Sequence, residues 1–271
     1  MLLTIQTKQK IKRFIAGTYG LLSHERAGSL SVILNYHSIH PSHETSTRPD
    51  DFMRQMGYLK THFSVISLSD FYTMRTTAKD SPGNIAVVTF DDGYKDNYEY
   101  AFPVLKNLGL PATIFLTTGF INGEIDITKE CKSYRGLDHL EWSHIKEMRE
   151  HGIYFGAHTH SHPILTELPL DKAAAEIIQS KQVLEEKLGE PVTHFAYPLG
   201  QSGTFNDSII NLLKKHGFDL TCSTIWGTDN DSTSMFALHR IRIDGVDSME
   251  DFIAKVNGHW NFINFIQTRN R

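Results

Sequence analysis

Two adjacent carboxylates, Asp91 and Asp92, follow directly on Ile85-Ala86-Val87-Val88-Thr89-Phe90 and lead into Gly93-Tyr94. The run before them is short, β-branched and almost wholly apolar, the pattern of a strand covered on both faces in a parallel sheet. Two neighbouring negative charges at the end of such a strand repel each other and are costly to desolvate. A bound metal ion is the simplest compensation. Candidate ligands for one stand in His158-Thr159-His160-Ser161-His162-Pro163.

A chain of 271 residues with 40% hydrophobic and 21% charged residues can bury the core of a single large α/β domain. The formal charge of −4 supplies no basic footprint, which argues against nucleic acid as a partner. Cys131 and Cys222 are far apart and have no metal-like spacing, so they read as reduced bystanders. At the N-terminus Lys8, Lys10, Lys12 and Arg13 precede an apolar stretch that faintly resembles a secretory signal. That stretch is short, holds two glycines and lacks a small-residue cleavage site. Ile11, Phe14, Ile15 and Leu22 instead share one helical face. Residues 1–30 are therefore expected to form a retained amphipathic extension, resting on the domain or on an anionic membrane surface. The chain is then cytoplasmic, with export as the alternative.

From residue 31 onward, short apolar runs alternate with helical patterns. Strands are expected at 31–36, 85–90, 111–116, 153–157, 192–197, 219–223 and 238–243. Helices are expected at 50–62, after a Ser69 cap, at 97–108 behind an Asp96 cap, and at 140–150, 170–188, 208–216 and 248–256. Residues 118–139 lack periodicity and read as a long functional or mobile loop. Seven strands alternating with helices, with no linker between them, argue for one α/β domain over 31–271, a parallel (β/α) barrel.

Three polar constellations then follow apolar strands at their C-terminal ends: Asp91-Asp92, His158 through His162, and Pro198-Leu199-Gly200. In α/β barrels that end is the catalytic face. His158 and His162 are four apart, so a helical turn would aim both imidazoles the same way, with His160 facing away. With one carboxylate they make a two-histidine, one-carboxylate set that leaves positions open for water and substrate. Zn²⁺ suits such a set, and Co²⁺, Ni²⁺, Mn²⁺ or Fe²⁺ fit nearly as well. The plainer readings are a solvated histidine-rich loop and a carboxylate cluster at a helix N-terminus. Either accounts for one feature and leaves the other unexplained.

Thr89-Phe90-Asp91-Asp92-Gly93-Tyr94 resembles the first signature of the polysaccharide deacetylases, carbohydrate esterase family 4, and His158 to Pro163 resembles the second. Phe195-Ala196-Tyr197-Pro198-Leu199-Gly200 resembles the third, in the form of a branch acting on exopolysaccharides. Asn35-Tyr36-His37 and Leu140-Glu141-Trp142 resemble further features of that branch. The resemblance spans about residues 31 to 245.

It implies a distorted barrel of about seven strands and metal-dependent removal of N-acetyl groups from an N-acetylhexosamine glycan, as polymer, oligomer or lipid-linked precursor. It implies Asp92, His158 and His162 as metal ligands, Asp91 as general base, and the backbone N–H of Leu199 as oxyanion donor. Many members carry an arginine two residues before the third-signature proline, where this chain has Ala196; Arg240 is the candidate replacement. A histidine acting as general acid usually follows leucine and one other residue. Here Leu238-His239-Arg240 is out of that pattern by one position, so His239 is the candidate acid and His37 the substitute. Tyr94, Tyr197, Pro198, Trp142 and His37 are candidate substrate contacts, with Tyr36 and Trp226 as further aromatic faces suited to a pyranose. The rivals are hydrolysis of another non-peptide amide on the same barrel, and a carbohydrate-binding relative that has lost catalysis.

Overall fold

The computed structural model describes residues 13, 30–77, 83–126, 136–228 and 233–264. Its centre is the pairing of β1 (Ser31–Tyr36) with β3 (Ile85–Phe90), in parallel and in register from Ser31 opposite Ile85 to Tyr36 opposite Phe90. All six residues of β3 are buried, as an apolar run without alternation requires. β4 (Ala112–Leu116), β5 (Ile153–Ala157), β6 (His194–Ala196) and β7 (Leu220–Cys222) follow in order on the β3 side, and β8 (Ile241–Arg242) lies on the free edge of β1. Every pairing is parallel. The short β2 (Ser64–Val65) adds to β3 off this path; at two residues it is too brief for periodicity to reveal.

The sheet curls and closes through the segment before β8. Leu238 N–H donates to Thr221 O (3.0 Å), Ser223 N–H to Leu238 O (2.9 Å) and Arg240 N–H to Ile225 O (3.0 Å). The stretch expected as one strand over 238–243 is thus shared, its first half on β7 and its second half on β1. The result is a distorted parallel (β/α) barrel.

Alternation along the strands divides the core in two. Ile33, Ile85, Val87, Phe115, Ala196, Leu220, Cys222 and Leu238 fill the barrel, with Leu68 and Phe71 of α2 (Leu68–Thr76) packed among them. Val32, Leu34, Val88, Phe90, Ile114 and Ile241 face outward. There they meet α1 (Pro49–His62), α3 (Phe102–Leu108), α5 (Trp142–Arg149), α6 (Leu170–Leu188), α7 (Asp207–Lys215) and α8 (Met249–Val256).

Several expectations change locally. Ser67, not Ser69, caps α2, its Oγ accepting from Asp70 N–H. Asn97–Ala101 is a π-helical turn ahead of α3. The aperiodic stretch after β4 begins with a short helix, α4 (Thr118–Ile121), and residues 127–135 lie outside the described residues. Cys222 is buried and in no disulfide among the described residues, and Cys131 lies outside them. So do residues 1–29 of the expected amphipathic extension, apart from Arg13, whose guanidinium donates twice to Asp251 on α8. Among the described residues no helix is long and apolar enough to cross a membrane.

Asp96 is no N-cap. It has helical dihedrals, and its buried carboxyl accepts from Ser38 Oγ, Asn97 Nδ2 (3.0 Å) and the Ile39 N–H. Burial lifts its pKa to about 7 against the pull of those donors. The folded value lies above the ordinary 3.8, so the stabilisation from protonating Asp96 is lost as pH rises between the two. An Asp96→Asn chain is expected to gain on the wild type across that window by up to about 1.4 kcal/mol per pH unit, read from urea unfolding at its two ends.

Candidate active site

Strand alternation puts Asn35, Thr89 and Arg240 on the same inner side as Ile33, Val87 and Leu238. Asp91 sits directly above them and closes the column. Both its oxygens accept from Arg240, Oδ1 from Nη1 and Oδ2 from Nη2, each at 2.7 Å. Asn35 Nδ2 donates to Oδ2 at 3.1 Å. The guanidinium is anchored in turn by Ser223 O on Nε (2.7 Å) and Thr89 Oγ1 on Nη1 (3.2 Å). Burial raises the Asp91 pKa, but the Arg240 charge and its hydrogen bonds, with His158 and His37, bring it below the ordinary value. Asp91 is therefore an anion held in one orientation, the task the missing third-signature arginine would have performed.

Asp92 points away from that pair. It has φ +73, a left-handed conformation costly for a non-glycine residue, and Gly93 follows at φ +80. A side chain at Gly93 would bring a Cβ within 2.6 Å of Leu116 Cδ2, so the turn requires glycine. Asp92 Oδ1 is buried and has no hydrogen-bond partner among the described residues, yet it lies 3.5 Å from Nε2 of both His158 and His162. Around a four-coordinate ion with bonds of about 2.0–2.1 Å, ligand atoms stand about 3.4 Å apart. An orphaned buried oxygen at that spacing from two imidazoles fits a divalent metal.

The histidines do not converge through a helical turn, as their spacing suggested. Thr159 (φ +66) and His162 (φ +62) are both left-handed, and the chain doubles back between them. His162 N–H donates to Thr159 Oγ1 at 3.0 Å, pinning the doubled turn. His158 Nδ1 lies 2.7 Å from Ala196 O, so it carries the proton and leaves Nε2 for the metal. Burial pushes His162 down to about 4, which keeps its imidazole in the neutral, ligating form. Burial would lift Asp92, but the two imidazoles hold it well below the usual carboxylate range. His160 faces away, as expected, toward Thr118 Oγ1 (3.0 Å) and Glu124 (3.2 Å).

The third turn places Leu199 at φ +57, the residue 48% exposed and its carbonyl held by Thr224 Oγ1. Tyr36, Tyr94 and Tyr197 are fully buried, and Pro198 is buried as well, so none offers an open face to a sugar. Tyr94 stacks on His139 at 5.5 Å, and Tyr197 stacks on Phe205 at 4.2 Å and donates to Phe236 O. Trp226 packs against Trp260. Trp142 stays partly exposed, its indole N–H on Asn122 Oδ1.

His239 and Arg240 are adjacent in an extended segment and so face opposite ways. Arg240 faces inward; His239 lies outside the barrel, its ring beside Gly227. His239 therefore does not share the inner face that Arg240 and Asp91 occupy. His37 shares the inward parity of Asn35, and its imidazole interacts electrostatically with both Asp92 and Asp91. Burial lowers its pKa and the two carboxylates raise it, for a net fall. Sequence reasoning missed Asn35 as an Asp91 ligand and Ala196 O as the His158 anchor. Asn35 had a signal, a polar residue inside an apolar strand. A backbone carbonyl has none.

A family model for polysaccharide deacetylase matches residues 78–221. The chain is 30% identical over 212 residues to the YxkH protein of Bacillus subtilis (strain 168), across 78% of this chain and 70% of that one. It is 28% identical over 227 residues to the poly-β-1,6-N-acetyl-D-glucosamine N-deacetylase of Staphylococcus aureus (strain MRSA252), across 79% and 72%. Among solved structures it superposes on the deacetylase PplD of Streptococcus pyogenes in complex with acetate, with a TM-score of 0.73 and 25% identity over 84% of this chain and 99% of that one. It shares the fold of IcaB from Ammonifex degensii at a TM-score of 0.74 and 24% identity, over 86% and 98%.

Removing one partner of a buried ion pair leaves a charge with nothing to compensate it. Arg240→Met is expected to destabilise the chain by about 3–5 kcal/mol in denaturant unfolding. Adding Asp91→Leu to that variant removes the stranded charge and should recover most of the loss.

Proposed function

The chain belongs to the polysaccharide deacetylase family, a hydrolase of N-acetyl amide bonds, and from that membership we propose that it acts on a poly-N-acetylhexosamine exopolysaccharide or its lipid-linked precursor. The kinship with the staphylococcal enzyme favours β-1,6-linked N-acetylglucosamine as the repeating unit. The observation that carries the mechanism is the division of labour between the two carboxylates: Asp91 locked on Arg240, Asp92 turned toward His158 and His162.

Asp92, His158 and His162 would hold a divalent ion, Zn²⁺ being the best fit to the donor set. When bound, that ion acidifies water and polarises the acetyl carbonyl. Asp91, ionised and fixed by Arg240, takes the proton of the attacking water as the C–O bond forms. The exposed Leu199 turn presents its backbone N–H to the oxyanion of the tetrahedral intermediate. His37, whose imidazole interacts with both carboxylates and whose lowered pKa leaves it neutral at rest, then relays the proton taken by Asp91 to the amide nitrogen as the C–N bond breaks. Acetate and a free hexosamine amine result. Arg240 hydrogen-bonds to Asp91, Thr89 and Ser223 and lies over the Phe115 ring, so its part is to hold the base in line.

The test is acetate release from β-1,6-linked N-acetylglucosamine oligomers. Metal-stripped protein should be silent and regain activity with Zn²⁺ or Co²⁺. Asp91→Asn should lose activity while still binding the ion. Removing the acid should cost about 10²–10⁴-fold in kcat for His37→Ala, whereas His239→Ala stays within a few-fold. Undiminished release from the stripped protein, or from Asp91→Asn, would contradict the mechanism.

A further inference from the structure

The turn that carries both histidines is gripped from two sides. On one, Thr118 N–H donates to Thr159 O (3.3 Å) and Gly119 N–H to His160 O (2.8 Å), both from α4. A Cβ at residue 119 would lie 2.6 Å from His160 O, so only glycine allows that approach. On the other side stand two side chains of α6: Gln179, whose Nε2 lies 3.2 Å from His160 Nε2, and Glu176. Glu176 Oε2 accepts the backbone N–H of His160 (3.0 Å) and of Ser161 (2.8 Å), and its Oε1 accepts from Ser161 Oγ (2.7 Å). Charge-assisted bonds of this kind are stronger than neutral ones. They act on a segment flanked by two left-handed non-glycine residues, Thr159 and His162, which persists only if its surroundings over-determine it.

We propose that Glu176 is a positioning residue that sets the metal affinity of the Asp92–His158–His162 site by holding the histidine-bearing turn in its ligating shape. This rests on the reading of that triad as the metal site. Glu176 itself is no ligand: its three bonds occupy it with the turn. Without the carboxylate the turn relaxes, and His158 and His162 must be reordered each time an ion binds.

The measurement is Zn²⁺ affinity of the full chain by competition with a chromophoric chelator, with thermal unfolding of the chelator-treated protein alongside. Glu176→Ala is expected to bind Zn²⁺ about 10–100-fold more weakly, the usual cost of losing such an outer support. Glu176→Gln should stay within a few-fold, because its amide oxygen still accepts both N–H groups and its amide NH₂ donates to Ser161 Oγ. Ser161→Ala breaks one of the three bonds and should fall between them, which keeps the inference testable if the Ala variant folds poorly. Glu185→Ala is the control. That residue, also on α6, accepts from Val192 N–H (3.0 Å), so its loss should lower stability and leave metal affinity unchanged. Equal affinities for wild type, Glu176→Ala and Ser161→Ala would overturn the inference. Failure of the wild type to bind Zn²⁺ at all would overturn it together with the metal-site reading.

Discussion

The ion pair between Arg240 and Asp91 is the constraint on which the rest of the site depends. A fully buried guanidinium and carboxylate contribute little net stability once both are desolvated. What they contribute is orientation. Arg240 reaches Asp91 only because the segment before β8 crosses from β7 to β1 and aims position 240 inward. The arginine is therefore supplied by the strand that closes the barrel, while position 196 carries an alanine whose carbonyl orients His158. The departure from the expected signature thus has one structural consequence, that Asp91 is held from a different strand; the carbonyl at 196 is backbone and would support His158 under either side chain.

Backbone strain is concentrated where chemistry is expected. Among the described residues four non-glycine positions have positive φ, namely Asp92, Thr159, His162 and Leu199, and all four lie on the three turns that crown β3, β5 and β6. Each costs on the order of 1–3 kcal/mol and is maintained by its surroundings. At Asp92 the strain separates two adjacent carboxylates, sending one toward an arginine and the other toward imidazoles. At Thr159 and His162 it folds a five-residue stretch back on itself so that its first and last side chains meet, their ring centroids 4.9 Å apart.

Much of this was legible in the sequence. Unbroken apolar runs marked the buried strands, and α6 has the bounds that its period of 3.6 indicates, Leu170–Leu188. The carboxylate pair and the histidine turn announced themselves because packing has no use for such residues at strand ends. Three things were hidden for physical reasons. The shape of the histidine turn was misjudged, since spacing of four suits a helix as well as a doubled-back loop. The opposed facing of His239 and Arg240 went unread, although period 2 puts adjacent residues of an extended segment on opposite faces. The aromatic residues chosen for stacking mostly went to the core, because pattern alone does not separate a buried tyrosine from one lining a groove.

The most direct test is an anomalous diffraction map of crystals loaded with Zn²⁺ or Co²⁺. One strong peak is expected within bonding distance of Asp92 Oδ1 and of Nε2 of His158 and His162, with Asp91 still paired to Arg240. A peak elsewhere, or Asp91 released from Arg240 to join the ligands, would contradict the assignment of one carboxylate to the metal and the other to the proton.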